Sequence, residues 1–125
     1  MHVQTEITPP LNKELSALGH HLDDILETLL MNMIGKGQLA TMAPRMQYKH
    51  YPLTVIRPLC YADVDSIIEH AEKSGFKSST CTCTYQDNSG RKDARGKLDV
   101  LIDGDPLKKK RMLAALKNIY PEYLP

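Results

Sequence analysis

Two histidines and two aspartates occupy neighbouring positions near the start of the chain, as His20, His21, Asp23 and Asp24 around Leu22. Such side chains could hold a divalent metal ion, or they could form a polar rim around a phosphate or nucleotide. The metal site is the weaker hypothesis, because adjacent side chains on a helix diverge and a zincin-like motif needs histidines four residues apart. A third interpretation is structural: the acids complement a helix terminus while the histidines pack or face solvent.

A helix follows these four residues and must position them. Its apolar residues recur at spacings of three and four, as Leu22, Ile25, Leu26, Leu29, Leu30, Met33 and Ile34. This pattern predicts an amphipathic helix with one buried face. Asp23 and Asp24 then lie in its first turn, with His20 and His21 at the cap or just before it. Unpaired backbone N–H groups and the helix dipole favour negative charge and anionic ligands at that position.

Strands and a second helix surround this first helix. Ser16 to Gly19 is predicted as the end of a short buried strand, and the β-branched stretch from Leu53 to Arg57 as another. The second helix is capped by Asp63, and Gly75 suits the left-handed position after its end. Its predicted buried face consists of Val64, Ile67, Ile68 and Ala71.

Two more helices complete the predicted order. One starts near Asn88 or Ser89 and ends near Asp103, and the other starts with Asp105 and Pro106 and ends before Pro121. The residues predicted to face inward are Leu98, Leu101 and Ile102 in the first of these and Leu113, Leu116 and Ile119 in the second. Alternating strands and helices followed by two helices indicate an α/β fold with a helical tail.

Three cysteines offer a second kind of chemistry. Their odd number, in a chain without a secretory signal, argues against a disulfide framework. Cys60 lies in an apolar stretch and is predicted to be a buried small residue. Cys81 and Cys83 form a CxC pair whose thiolates would suit a soft metal or an iron–sulfur cluster. Two thiols do not complete a tetrahedral set, so a structural or idle pair is the simpler interpretation.

Basic residues are concentrated in the later part of the chain. Residues 1–35 carry one lysine against five acids, whereas residues 36–125 carry fifteen lysines and arginines against ten acids. The excess lies at Arg91, Lys92, Arg95 and Lys97, and in the run from Lys108 to Arg111. A solvated helix face is the commoner explanation of such runs, and contact with an RNA backbone is the alternative.

Composition and length limit the classes of protein. The chain has 125 residues with 42% hydrophobic content, enough for one small core. No run approaches the roughly 18 apolar residues of a membrane helix, and residues 1–10 lack the pattern of a signal peptide. We therefore expect a cytoplasmic protein without a membrane segment.

Four stretches, in this order, resemble a known family. They are GHHLDDILETLLMNMIGKGQLATMAP, VIRPLCYADVDSIIEHAEKSGF, CTYQDNSGRK and the ending NIYPEYLP. Through them the chain, from about Leu18 to Pro125, closely resembles the second half of PP-loop ATPases of the tRNA 2-thiocytidine synthetase type. The resemblance implies an α/β fold: a partial Rossmann-like (adenine nucleotide alpha hydrolase-like) parallel sheet with a helical carboxy-terminal tail. It also separates an irregular arm over residues 1–15 from part of a PP-loop ATPase domain over residues 16–125.

The resemblance implies a reaction and a set of sites. In that family ATP and Mg²⁺ activate C2 of a cytidine in the tRNA anticodon loop by adenylation, and sulfur then replaces the oxygen. The implied nucleotide-binding residues are Gly19, His20, Asp23 and Asp24, and no catalytic residue is assigned. Cys83 aligns with one cysteine ligand of the family's iron–sulfur cluster. The implied tRNA-binding residues are Arg91, Lys92, Arg95, Lys108, Lys109, Lys110 and Arg111.

Two motifs of that family do not occur in the sequence. The SGGxDS loop cradles the pyrophosphate of ATP, and a CxxC pair supplies two cluster ligands. We therefore expect the chain to be inactive alone, to need a partner chain or segment with both motifs, and to hold a cluster only with ligands from elsewhere. The alternatives are a stand-alone RNA- or nucleotide-binding module without catalysis and a degenerate remnant with no ligand. A homo-oligomer is a further possibility, because a small sheet exposes an edge.

Overall fold

The computed structural model describes residues 14–76 and 89–125. The elements in chain order are β1 (Glu14–Ala17), α1 (Leu22–Lys36), β2 (Arg45–Gln47), β3 (Leu53–Ile56), α2 (Val64–Lys73), α3 (Ser89–Ile102) and α4 (Pro106–Ala115), followed by a 3-10 turn (Pro121–Tyr123). The predicted α/β fold with a helical tail is confirmed. Within these two ranges, no helix has the length and apolarity needed to cross a membrane.

A small mixed sheet forms one side of the molecule. Its strand order is β1-β3-β2, with β1 parallel to β3 and β2 antiparallel to β3. Helix α1 lies in the connection between the two parallel strands, as such pairs require. The predicted parallel pairing is found between β1 and β3, and β2 adds an antiparallel strand that was not predicted. Its sequence, Arg45–Gln47, is too short and too polar to show the alternation that predicts a strand, and its residues are exposed.

Strand β1 differs from the prediction in position and burial. It runs from Glu14 to Ala17 instead of ending at Gly19, and it is not buried, since Leu15 is 48% exposed. Glu14 also lies inside the segment assigned to an irregular arm. Because residues 1–13 lie outside the described part of the chain, the boundary at residue 16 stays a prediction.

The core lies between α1, α3 and α4. It contains Leu22, Leu26, Leu29 and Leu30 from α1 and Ala94, Leu98 and Ile102 from α3, with Met112, Leu113 and Leu116 packed against it. These α3 residues are spaced by four, so they form one stripe. Leu101 lies beside that stripe and is exposed, contrary to the prediction. Ile119 is also exposed, because α4 ends at Ala115 and the helical spacing does not extend to it.

Helix α2 has the predicted ends but not the predicted burial. The Asp63 side chain accepts a hydrogen bond from the Asp65 N–H at 3.2 Å, and Gly75 has a positive φ of 75°. None of the helix residues is buried, and Ile68 is 50% exposed. Local signals are sufficient to form this helix, but none of the other described helices or strands packs extensively against it, and its apolar face is at most half-buried.

Candidate functional site

The joint between β1 and α1, residues Gly19 to Asp24, is capped by its own side chains. The His21 N–H donates to Asp24 Oδ2 at 3.0 Å, and Leu22 N–H donates to the Ala62 carbonyl at 2.9 Å. His21 Nε2 also lies 3.4 Å from Asp24 Oδ2. The structure therefore confirms both the predicted first-turn position of Asp24 and the position of His21 at the cap. An acid at this position satisfies backbone donors and complements the helix dipole.

Asp23 points the other way, into the protein. Its Oδ1 accepts a hydrogen bond from the Val64 N–H at 2.9 Å, and its Oδ2 lies 2.7 Å from Lys109 Nζ. The same ammonium lies 2.8 Å from Oδ1 of Asp63. Asp23 and Asp24, adjacent in sequence, thus have different surroundings. One anchors α1 to the start of α2 and to α4, while the other stays at the end of α1.

The buried charges around Lys109 stabilise one another. Burial disfavours the ammonium, but the hydrogen bonds and charges of Asp23 and Asp63 outweigh burial and raise the pKa of Lys109. Burial likewise disfavours the Asp63 carboxylate, yet hydrogen bonds from Lys109 and from the Asp65 N–H lower the pKa of Asp63. Both groups are therefore charged at neutral pH, and we call Asp23, Asp63 and Lys109 the buried triad.

His20 and Gly19 form the strand side of the joint. His20 Nδ1 accepts a hydrogen bond from Arg57 Nε at 3.3 Å, which leaves the ring proton of a neutral imidazole on Nε2. Arg57 also donates to the Ala43 carbonyl at 2.6 Å, so the following loop is tied to the joint. A Cβ added to Gly19 would meet no heavy atom within 4 Å. The joint therefore opens onto free space at Gly19.

Glu27 is a buried ionic residue that the sequence analysis did not single out. Its side chain is only 3% exposed, and its two oxygens lie 3.2 Å from Arg91 Nη1 and 3.1 Å from Arg95 Nε. Arg91 further donates to Thr28 Oγ1 at 3.0 Å. A signal was present in the sequence: Glu27 follows Asp23 by four residues beside the buried leucines, where an acid requires a cationic partner.

The predicted tRNA-binding residues divide into two groups. Lys109 is buried in the triad and differs from its neighbours in the basic run, while Arg91 and Arg95 share the Glu27 carboxylate. The remaining residues, like Arg95, are exposed, namely Lys92, Lys108, Lys110 and Arg111. The prediction of direct RNA contact does not fit Lys109, because its ammonium is directed toward two carboxylates and not toward solvent.

Few metal-binding groups converge in the part of the chain that the structure describes. It contains no cluster of three or more His, Cys, Asp or Glu side chains that could hold a metal ion. Cys60 is buried, and burial raises the pKa of its thiol, which disfavours the thiolate that metals need. Cys81 and Cys83 lie outside the described residues. The described residues therefore do not by themselves fit an iron–sulfur cluster.

Comparisons with known proteins identify relatives of the chain. It is 40% identical over 110 residues to a tRNA-cytidine(32) 2-sulfurtransferase of Citrifermentans bemidjiense, which covers 86% of this chain and 43% of the relative. A tRNA-cytidine(32) 2-sulfurtransferase of Geobacter sulfurreducens is 42% identical over the same shares. No family model matches. The chain thus spans less than half the length of these relatives.

The fold has a relative among solved structures as well. A U34-tRNA thiolase, NcsA from Methanococcus maripaludis with its 4Fe–4S cluster, superposes with a TM-score of 0.65 at 26% identity. The match covers 87% of this chain and 37% of the thiolase. Sequence and fold agree with the resemblance seen in the four motifs. By sequence and by fold, more than four fifths of the chain is therefore similar to a part of tRNA-thiolating enzymes.

Proposed function

We propose that this chain forms the nucleotide-side part of an ATP-dependent tRNA sulfurtransferase that makes 2-thiocytidine. The observation that carries the proposal is the joint at the start of α1. Gly19 leaves open space there, Asp24 stays at the helix end, and Asp23 fixes the helix from inside. The positive end of a helix beside open space suits the phosphate or ribose of a nucleotide.

The proposed reaction has two displacement steps. The cytidine O2 attacks the α-phosphorus of ATP and pyrophosphate leaves. Mg²⁺, when bound with ATP, would supply positive charge that neutralises the phosphates. A sulfur nucleophile then adds at C2, the C2–O bond breaks, and AMP leaves with the oxygen. Adenylation thereby converts a poor oxygen leaving group into a good one, and the main task of the protein is to position and neutralise the phosphates.

A second chain or segment completes the site in this proposal. The SGGxDS run does not occur in the sequence, so the pyrophosphate must be held by groups from elsewhere. Two described surfaces suit such a partner: strand β1, which pairs on one side only among the described strands, and the uncovered apolar face of α2. An open strand edge and an amphipathic helix face are favourable to burial against another α/β segment.

The exposed basic residues are proposed to contact tRNA. Lys92, Lys108, Lys110 and Arg111 can release counterions from phosphates, which gives binding that weakens with salt. Arg91 and Arg95 both contact the Glu27 carboxylate beside the first turns of α1. Their contact with tRNA is proposed from the family resemblance. We also propose that the protein acts in the cytoplasm, on tRNA.

The iron–sulfur cluster remains outside the proposed steps. When bound it would carry sulfur, and Cys83 is proposed as one ligand, with the others supplied by the partner. The protein groups described above are proposed to act on the nucleotide and the RNA, so their proposed roles do not depend on the source of the sulfur.

The isolated chain tests two expectations of this proposal. We expect no ATP hydrolysis above background, because the pyrophosphate site is incomplete, whereas robust turnover would contradict the half-site. Titration with tRNA at several salt concentrations should give an affinity that falls steeply as salt rises. An absent or flat response removes the RNA prediction. Salt-dependent tRNA binding would also fit the alternative, a stand-alone RNA-binding module, so ATP binding must be tested in a completed protein.

A chimera provides that completed protein. It is the Geobacter sulfurreducens relative in which the 110 matched residues are replaced by the matching part of this chain. We expect the chimera to bind ATP with Mg²⁺ and the Asp24→Ala variant to bind it at least about tenfold more weakly, a loss of about 1.4 kcal/mol. Unchanged affinity would refute the role of Asp24, and a chimera that binds tRNA but no ATP would favour the alternative module.

A further inference from the structure

We propose that Lys109 is a positioning residue for the nucleotide-side joint, acting from α4 through Asp23. The identity of the ligand at the joint rests on the proposed function, but the positioning itself does not. Lys109 lies in a run of basic residues that suggests RNA contact, yet its side chain is only 9% exposed. Its ammonium lies 2.7 Å from Asp23 Oδ2, one residue before the acid that caps the joint.

The buried triad joins the amino-terminal ends of three helices. Asp23 belongs to the first turn of α1, Asp63 caps α2, and Lys109 lies in the first turns of α4. Asp23 also accepts the Val64 N–H, so the same carboxylate contacts both other helices. The direction in which α1 leaves the joint is therefore set by contacts to α2 and α4, in addition to its own cap.

The charges of the triad make Lys109 indispensable to this arrangement. Two carboxylates share one ammonium, and each also accepts a backbone N–H at the start of α2. Without the ammonium the two acids would repel each other in a poorly solvated place. The ammonium also holds Asp23 Oδ2 toward α4. Without it we expect Asp23 to move, even where the repulsion is removed, and to carry the first turn of α1 with it.

The test compares Lys109→Met with Lys36→Met, which removes an exposed lysine from the last turn of α1. Backbone amide NMR spectra of the isolated chain report the joint directly. We expect the amides of Gly19 to Asp24 and of Val64 to shift in Lys109→Met and to stay in place in Lys36→Met. Equal, small shifts at the joint in both variants would overturn the proposal.

Two further variants separate positioning from simple stabilisation. Lys109→Arg keeps the charge with a different shape, and we expect it to stay folded with shifts confined to the joint and the start of α2. Asp63→Asn combined with Lys109→Met removes the repulsion and retains an asparagine cap. This double variant should recover much of the lost resistance to urea while the joint amides remain shifted. If the resistance to urea and the positions of the joint amides both recovered, Lys109 would only stabilise the fold, and the positioning role would be refuted.

The same substitutions in the chimera distinguish this inference from the proposed function. We expect Lys109→Arg to weaken ATP binding at least about threefold and Lys36→Met to leave it unchanged. Shifted joint amides with no ATP binding in the parent chimera would contradict the proposed function and retain the positioning role. Unshifted amides with normal ATP binding would contradict the positioning role and retain the function.

Discussion

The two sides of this molecule differ in how far their apolar residues are buried. On one side, α1 packs against α3 and α4 through buried leucines, and two ionic groups join the helices, one centred on Glu27 and one on Lys109. On the other side, the small sheet leaves β1 exposed and α2 has no buried residue. The first side has the properties of a finished core, and the second has those of an interface.

The contacts that hold the candidate site come from the packed side of the molecule. The start of α1 is fixed from the packed side, by the buried triad and by the cap of the joint. The open side contributes free space at Gly19 and uncovered apolar surface, where a nucleotide and a partner segment would bind. Substitutions should therefore affect stability on the first side and assembly on the second.

The largest loss of stability is expected from Lys109→Met. Removing the ammonium leaves two buried carboxylates without their cation, and the cost of breaking such a buried pair is about 3–5 kcal/mol. Urea denaturation of the isolated chain measures it, with Lys36→Met as the control that changes the free energy of unfolding by less than about 0.5 kcal/mol. Equal stability of the two variants would show that the triad does not hold the packed side together.

A somewhat smaller loss is expected from Glu27→Gln. The amide cannot pair with both guanidinium groups, but Arg95 is more than half exposed, so water compensates part of the lost interaction. We expect a loss of about 2 kcal/mol, between the values for exposed and buried pairs. The matched control is Asp93→Asn, which removes an exposed acid of α3 paired with Lys97 and should cost about 0.5 kcal/mol or less. A cost for Glu27→Gln as small as for this control would contradict a stabilising role of the ion pairs of Glu27 with Arg91 and Arg95.

A pH dependence follows from the triad. The folded protein holds the pKa of Asp63 below its ordinary 3.8, so this stabilisation is present above that pH and is lost as pH falls through the lowered value. It raises the pKa of Lys109 above 10.5, so that stabilisation is present below pH 10.5 and is lost as pH rises further. Urea midpoints across pH should show both losses, and both should shrink in the Asp63→Asn, Lys109→Met double variant. A double variant with the pH profile of the parent would contradict this assignment.

The smallest effect in the isolated chain is expected from the open side. Ile68→Gln on the uncovered face of α2 should change the free energy of unfolding by no more than about 0.5 kcal/mol. In contrast, Leu26→Ala in the packed core should cost about 3 kcal/mol. In the chimera, where a partner segment would cover α2, Ile68→Gln should become clearly destabilising. An unchanged free energy of unfolding in the chimera as well would contradict the interpretation of this face as an interface.

The features that the sequence predicted correctly are those with local causes. The period of α1, the Asp63 cap and the positive φ at Gly75 depend on residues a few positions apart. The nucleotide-binding assignments rest on family resemblance, and the structure adds that Asp23 and Asp24 have different surroundings. Direct tRNA contact and cluster ligation stay predictions.

The features that sequence reasoning missed depend on distant residues. Strand β2 is defined by its pairing with β3. The burial of Glu27 is explained only by Arg91 and Arg95, which lie against it and are more than 60 residues away in the sequence. Lys109 could not be separated from Lys108 and Lys110 by sequence, because all three are lysines in one run. Only the packing of α4 against α1 decides which of them is buried.

The most direct test of the central claim is the 2-thiocytidine content of tRNA from cells in which the chimera is the sole enzyme of its kind. Mass spectrometry of the nucleosides measures it. We predict 2-thiocytidine with the parent chimera and its loss with Asp24→Ala. A folded chimera that binds tRNA and leaves it without 2-thiocytidine would contradict the claim that this chain contributes the nucleotide side of a tRNA-thiolating enzyme.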